Sequence, residues 1–326
     1  MKAAWYENIG AAAEVLQVGE TSDPNPNAGE VLIEIKASGV NPSDVKTRAG
    51  ARGELQFPQI IPHSDGSGVI TAVGEGIDES RIGERVWIWN GAFGRAHGTC
   101  AEMIALPSEQ AVSLPDETSY EAAACLGIPA STAYYGMLCD GPVENQTVLV
   151  TGGAGAVGYY GIQLAKWSGA SVITTVSGDE KAAVANDAGA DLIINYRDED
   201  VVAAIEDFTN GEGVDRILEV EFGGNLSVSK EVIKPNGIIA SYGSVAVMEP
   251  ALPFYDLMFK GVKLNTYLIY IVSESDRKMI VNGLNAAMND QALTHLVSES
   301  YALDDIVDAH LSMESNQVIG NIVVGI

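Results

Sequence analysis

Between Thr147 and Val176 the chain reads TVLVTGGAGAVGYYGIQLAKWSGASVITTV, with glycines where an apolar strand must hand over to a helix. Gly153, Gly155 and Gly158 keep the G-x-G-x-x-G spacing, with Ala156 and Val157 inside it. That spacing suits one task. A pyrophosphate can approach the backbone only where no Cβ intervenes, and the opening turn of a helix offers it N–H donors and the positive end of the dipole. Tight turns also use glycine, so the string carries weight only inside a βαβ unit.

The end of the next strand bears on which dinucleotide would bind. An NAD site places an acid there to grip the ribose hydroxyls. Here the segment is TTVSGDEK, with Ser177 and Gly178 in the acid's place and Lys181 one turn later. A hydroxyl plus a cation suits a 2′-phosphate and predicts NADPH. In the contrary reading Asp179 and Glu180 are the ribose partners; otherwise they are first-turn acids that complement the helix dipole. Tyr196, ending the third strand in IINYR, is a further candidate phosphate contact.

These residues need a scaffold, and the rhythm of the chain predicts it. The stretch EVLIEIKASGV alternates in period two, and short strands follow at SGVITAVG and ERVWIWN, so the first third is β-rich. From about residue 147 strands alternate with helices: TVLVT, SVITTV, DLIINY, VDRILEV, GIIASYG and VKLNTYLIYI. In VVAAIEDF the residues Val201, Ala204, Ile205 and Phe208 share one helical face. This alternation implies a parallel sheet covered by helices on both faces. Beyond residue 272 a helix, a strand near Ser298–Tyr301, a helix from Leu303 and a closing strand NIVVGI are expected. With no linker-like tract in 326 residues, the two domains that this length suggests must share segments.

Composition narrows the function. The chain is 47% hydrophobic and 19% charged, a globular balance, and no apolar run reaches the ~18–20 residues of a membrane span. Glu7, Asn8 and Glu14 interrupt any leader-like apolar stretch, so a cytoplasmic protein is expected. With 44 acids against 18 bases the formal charge is −26, which repels phosphate backbones and argues against a nucleic-acid partner. Such a surface suits a salt-rich cytoplasm, or is simply acidic. Cys100, Cys125 and Cys139 form no CxxC pair and read as small buried hydrophobes.

In this order and spacing, the motifs SGVNPSD, SDGSGVI, IPASTAYYG, TGGAGAVG, AGADLIINYR and PNGIIASYGS resemble the zinc-independent quinone oxidoreductase branch of the medium-chain dehydrogenase/reductases, the zeta-crystallin-like enzymes. The resemblance runs essentially end to end. It implies an α/β chain: a Rossmann doubly wound parallel sheet over residues 125–272, plus a GroES-like β-rich substrate domain from 1–124 and 273–326. It further implies NADPH in an interdomain cleft, and a homodimer through Rossmann edge strands, with KLNTYLIYIV as the edge.

The zinc alcohol dehydrogenases of the same family hold a catalytic metal at positions matched here by Asn41, Ser64 and Ile128. None of these is a thiolate or imidazole, so no metal is expected. His63 stands where that branch has glycine. Without a metal to acidify an alcohol, the accessible reaction is hydride donation to an already electrophilic quinone or enone. The resemblance assigns Asn41 to orienting the nicotinamide ribose or a substrate oxygen. It sets Ser43 and Lys46 where the zinc branch runs its proton relay; Lys46 is either a proton donor or a solvated charge. Thr132, Tyr242, Gly243, Ser244, Leu268, Ile269 and Asn321 are the remaining expected cofactor contacts. The leading expectation is an NADPH-dependent quinone oxidoreductase acting by direct hydride transfer. The alternatives are an NADPH-dependent alkenal or enone reductase and, outside catalysis, a cofactor-binding sensor or structural protein.

Overall fold

The structure, a computed structural model, describes residues 1–326 and divides into two compact units, 1–128 with 295–326 and 129–294. The first unit opens with strands β1 (Lys2–Trp5), β2 (Gln17–Glu20), β3 (Glu30–Val40), β4 (Asp65–Val73), β5 (Arg85–Ile88), β6 (Met103–Pro107) and β7 (Ala111–Ser113). The second carries β8 (Thr147–Val150), β9 (Ser171–Val176), β10 (Leu192–Asn195), β11 (Val214–Glu219), β12 (Ile233–Ser241) and β13 (Lys263–Thr266). The chain then returns to the first unit with β14 (Val297–Ala302) and β15 (Asn321–Gly325).

The second unit is the doubly wound sheet that the alternating pattern predicts. Its six strands run β10-β9-β8-β11-β12-β13, every neighbouring pair parallel. The order reverses direction at β8, and the carboxyl ends beside such a switch point are where open α/β sheets leave a crevice. Leu149, Ile173, Ile194, Ile217 and Ile239 supply one fully buried aliphatic from each of the strands β8 to β12. On the helix Val201–Phe208 only Ile205 is fully buried; Phe208 is 39% exposed, so the face is narrower than its spacing suggests.

Two boundaries differ from expectation. The edge strand does not run through Ile271. It stops at Thr266 after Tyr267 makes a last ladder bond to the Ser241 carbonyl, and Ile269–Ile271 turn as a 3₁₀ segment. The helix Glu274–Asn289, expected with the carboxyl-terminal part of the substrate domain, belongs to the sheet unit instead. Its residues pack on the helix Ser131–Leu138, and Arg277 donates to the Ile269 carbonyl.

The first unit is a mixed sheet, β14-β15-β3-β4-β5-β7, with β6 also paired to β3. Along β3 the alternation holds through Val31, Ile33, Ile35 and Ala37, then fails where Ser38, Gly39 and Val40 are all buried. The failure is instructive, because Ser38 faces a polar interior. No helix in the chain is long and apolar enough to cross a membrane.

Candidate active site

The glycine loop is built almost wholly from backbone. It leaves β8, whose Val150 carbonyl holds Thr174 Oγ1, and Thr175 fixes Gly152 and Gly153 through its hydroxyl and carbonyl. A Cβ on Gly153 would lie 2.1 Å from Thr174 Oγ1, and one on Gly158 would lie 2.2 Å from the Gly152 carbonyl oxygen. Those two glycines are therefore required by packing alone. Gly155 is different. Its Cβ would meet only the Gly152 oxygen, at 3.3 Å, and the residue is exposed as the N-cap of the helix Ala156–Trp167. That cap makes no side-chain hydrogen bond, so the opening N–H groups at Ala156, Val157 and Gly158 have no side-chain acceptor. A buried fold with open donors at one end fits a pyrophosphate.

At the neighbouring strand ends, Val176 pairs with Asn195 and Tyr196 donates its N–H to the Val176 carbonyl. Ser177 and Tyr196 thus emerge side by side, with Lys181 in the first turn of the helix Asp179–Asp187. Asp179 and Glu180 are exposed in that same turn. Arg197, exposed beside Tyr196, is a second cation here that the sequence reading passed over. Nearly every other cation of this acidic chain holds a carboxylate or carbonyl, whereas Lys181 and the Arg197 guanidinium pair with neither.

Farther along the carboxyl ends, Glu219 is fully buried and accepts from Thr151 Oγ1, Glu221 N, Asn225 Nδ2 and Ser229 Oγ at 2.7–3.2 Å. Hydrogen bonds of this number meet the cost of burying a carboxylate. Glu221 in turn accepts from Val245 and Ala246 N–H, tying down the segment after β12. Those backbone bonds hold its carboxyl below the usual range against the opposing effect of burial. Gly243 passes so close to the Val220 carbonyl that a Cβ would stand 2.4 Å away. Ser244 spends its hydroxyl internally, donating to the Val247 carbonyl and accepting from Gly223 N–H. Thr132 is buried near the start of the helix Ser131–Leu138. Ile269 is also buried, while Leu268 is 41% exposed.

In the β-rich unit the expected residues sit in a polar lattice. Asn41 caps the helix Pro42–Arg48; its N–H donates to Asp44 at 2.8 Å and its Nδ2 to Asp65 at 2.9 Å. All three side chains are more than nine-tenths buried. Burial pushes the Asp44 carboxyl up to about 7, the Asn41 bond opposing it. His63 is fully buried at φ 77°, a backbone region that costs a non-glycine residue about 1–2 kcal/mol. Its Nδ1 meets Ser38 Oγ at 2.8 Å and its Nε2 meets His310 Nε2 at 3.0 Å. Ser38 continues to Thr99 Oγ1, and Thr99 donates to the Asp65 carbonyl. Burial drives both histidines below their ordinary pKa, His310 to about 3, so both are neutral at pH 7. Ser38, Thr99, Asp65 and His310 were invisible as a group in the sequence, being far apart in it.

Zinc does not fit this lattice. Asn41, Ser64 and Ile128 present an amide, a hydroxyl and a hydrocarbon, and both ring nitrogens of His63 are engaged. No three His, Cys, Asp or Glu side chains are grouped to hold a metal ion. Cys100 and Cys125 are buried thiols that burial pushes up, away from the thiolate a metal needs. Lys46 is exposed and pairs with no carboxylate. Asn321 is buried, its Nδ2 donating to the Leu296 carbonyl within the same β-rich unit.

Residues 27–116 match the alcohol dehydrogenase GroES-like domain, and residues 156–281 match the zinc-binding dehydrogenase family. The human quinone oxidoreductase is 26% identical over 299 residues, 91% of this chain and 89% of that one. A quinone oxidoreductase of Salmonella typhimurium is 29% identical over 317 residues, 94% of both chains. The structure of the Escherichia coli quinone oxidoreductase complexed with NADPH covers 100% of both chains at 25% identity, with a TM-score of 0.87. With a GroES-like half and a six-stranded dinucleotide-type half in this order, the chain belongs to the medium-chain dehydrogenase/reductase family of oxidoreductases, and its relatives include quinone oxidoreductases.

Proposed function

We propose that this chain is an NADPH-dependent quinone reductase that works by direct hydride transfer and without a metal. The observation that carries the reading is the exposed, Cβ-free Gly155 at an uncapped helix start beside the switch point of the sheet. When bound, reduced nicotinamide supplies the hydride; one further proton completes the conversion of a quinone to a hydroquinone.

The chain's own residues bind and orient. Gly155 admits the pyrophosphate on a loop that Gly153 and Gly158 allow to pack, and the N–H groups of Ala156, Val157 and Gly158 receive it. Ser177, Lys181 and Tyr196, joined by Arg197, favour a 2′-phosphate by supplying hydroxyls and two unpaired cations. Tyr242, Gly243, Ser244, Thr132, Leu268 and Ile269 line the nicotinamide end, Ser244 through its backbone because its hydroxyl is spent. Asn41 retains at most one Nδ2 hydrogen beyond its bond to Asp65, which suits it to a single contact with ribose or substrate oxygen. Lys46 acts as a solvated charge, and Asn321 contributes by holding β15 in place. The zinc in the matched family's name has no equivalent set of ligands here, so the acceptor must be electrophilic on its own.

The acting form is a homodimer formed at the free side of β13, which has only β12 as a neighbour. Phe254, Tyr255 and Phe259 are 60%, 66% and 81% exposed nearby. From Val245 to Ile271 the charges are Glu249, Asp256, Lys260 and Lys263, a neutral stretch in a chain at −26, and so the place where two copies repel least.

The test is oxidation of NADPH and NADH against 1,4-benzoquinone, 9,10-phenanthrenequinone and an acrolein-type enal, with and without chelator. Fast quinone turnover with NADPH, insensitive to chelator, is expected. Lys181→Ala should cut the NADPH preference about tenfold, or 1.4 kcal/mol. Turnover confined to the enal would replace the quinone reading with the alkenal reductase, and loss of activity on chelation would overturn it.

A further inference from the structure

The chain just past the edge strand carries a residue with no assigned role. Tyr267 follows Thr266 at the end of β13, and its hydroxyl donates to the Thr132 carbonyl at 2.8 Å. Its N–H holds the Ser241 carbonyl at the end of β12. Its ring lies 5.0 Å from that of Tyr135 and 6.2 Å from that of Tyr242, centroid to centroid. Helix Ser131–Leu138 approaches so closely that a Cβ on Gly136 would stand 2.3 Å from the Tyr267 hydroxyl oxygen. Directly after it the strand breaks, and Leu268, Ile269 and the 3₁₀ turn follow, with Arg277 on the Ile269 carbonyl.

One residue thus ties the start of a helix to the end of β12, immediately before the chain enters the turn beyond β13. Burial and the neighbouring Tyr242 hold the phenol far above its ordinary pKa, so it stays a neutral donor. The ring fixes direction and the hydroxyl fixes register.

We propose that Tyr267 is a positioning residue for hydride transfer, locking Thr132 and the Leu268–Ile269 turn into one rigid wall for the nicotinamide ring. The proposal rests on the cofactor reading above. It is reached through the contacts of Tyr267 and not through any group that Tyr267 itself would donate to substrate. Rate then depends on the wall because a small misplacement of reacting carbons, normally ~3–3.5 Å apart, costs heavily.

Tyr267→Phe keeps the ring and removes only the hydroxyl; Tyr267→Leu removes the ring as well. Steady-state kinetics with NADPH and with its 4-deuterated forms should be combined with binding of 2′-phospho-ADP-ribose, which lacks nicotinamide. For Tyr267→Phe, kcat should fall about tenfold and the deuterium isotope effect on kcat should rise. Affinity for 2′-phospho-ADP-ribose should stay within about twofold of the unaltered protein. Tyr267→Leu should lose about 100-fold in kcat with the same fragment affinity. Unchanged kcat and isotope effect in Tyr267→Phe would overturn the proposal, as would an equal loss of fragment binding, which marks general loosening. Failure of the unaltered protein to bind the fragment would instead strike the cofactor reading, and the proposal with it.

Discussion

At the end of β8 the chain turns glycines and uncapped N–H groups outward, whereas around Asn41 nearly every polar side chain is turned inward onto another. The first region leaves its helix-start donors without a side-chain acceptor. The second is engaged mainly within the chain: Asn41 on Asp65 and Asp44, His63 on Ser38 and His310, Thr99 on the Asp65 carbonyl, with His310 Nδ1 buried without a partner. A site made of backbone donors must be completed by its ligand, while a site of interlocked side chains can hold its shape alone.

Breaking the glycine loop should give the largest effect. Gly155→Ala adds a methyl that the folded chain nearly accommodates, so the melting temperature should move by no more than about 2 °C. NADPH affinity, by fluorescence titration, should nevertheless fall about 30-fold, or 2 kcal/mol. Gly158→Ala forces a contact 2.2 Å from the Gly152 oxygen and should cost both stability and binding. If Gly155→Ala bound NADPH normally, the outward donors would not be the ligand's.

The inward lattice should instead reveal itself through pH. The folded histidines bind protons less readily than unfolded ones, His310 having been pushed to about 3 from 6.5. Their contribution is full above about pH 6.5 and is lost as pH falls toward 3, with a limiting slope of about 1.4 kcal/mol per unit for each fully differing group. His63, His310 and Arg48 are the groups that act on one another here. Asp44 runs the other way: pushed up to about 7 from 3.8, it stabilises most below 3.8 and that stabilisation is lost as pH rises through 7. Thermal melts from pH 5 to 8 should therefore peak near pH 6–7. His310→Leu should flatten the acid side and Asp44→Asn the neutral side; an unaltered acid side in His310→Leu would remove the pair from the account.

The smallest effect on turnover is expected at the edge of the sheet. Leu264→Asp places a charge on β13 where Leu264 is 39% exposed. It should convert a two-chain species to single chains in sedimentation at micromolar concentration, with kcat changed less than about threefold. A protein that sediments as single chains before substitution would dispose of the homodimer.

How much of this the sequence disclosed follows the same division. The βα rhythm located all six parallel strands, because short apolar runs alternate there with helix-length segments. The glycine loop was legible because its chemistry is local. The edge strand was overdrawn through Ile271 because an apolar run does not say when its ladder partner ends. What ends it is Tyr267 turning into the interior between Tyr135 and Tyr242. The helix Glu274–Asn289 was misallocated since its amphipathic pattern does not name the surface it covers. Asn41 was found, yet its commitment to Asp65 was not, and the pairing of His63 with His310 joins residues that no local pattern connects.

One further consequence belongs to β15. It pairs antiparallel with β3, Ile322 facing Val40 and Val324 facing Ser38. During synthesis the stretch 37–40 of β3 therefore lacks this partner until β15 has been made, while residues 129–294 form a contiguous body. The nucleotide-type half can mature as it leaves the ribosome. The other half closes only when its last strand arrives, which makes it the stage at which a nascent molecule most needs shelter from its neighbours.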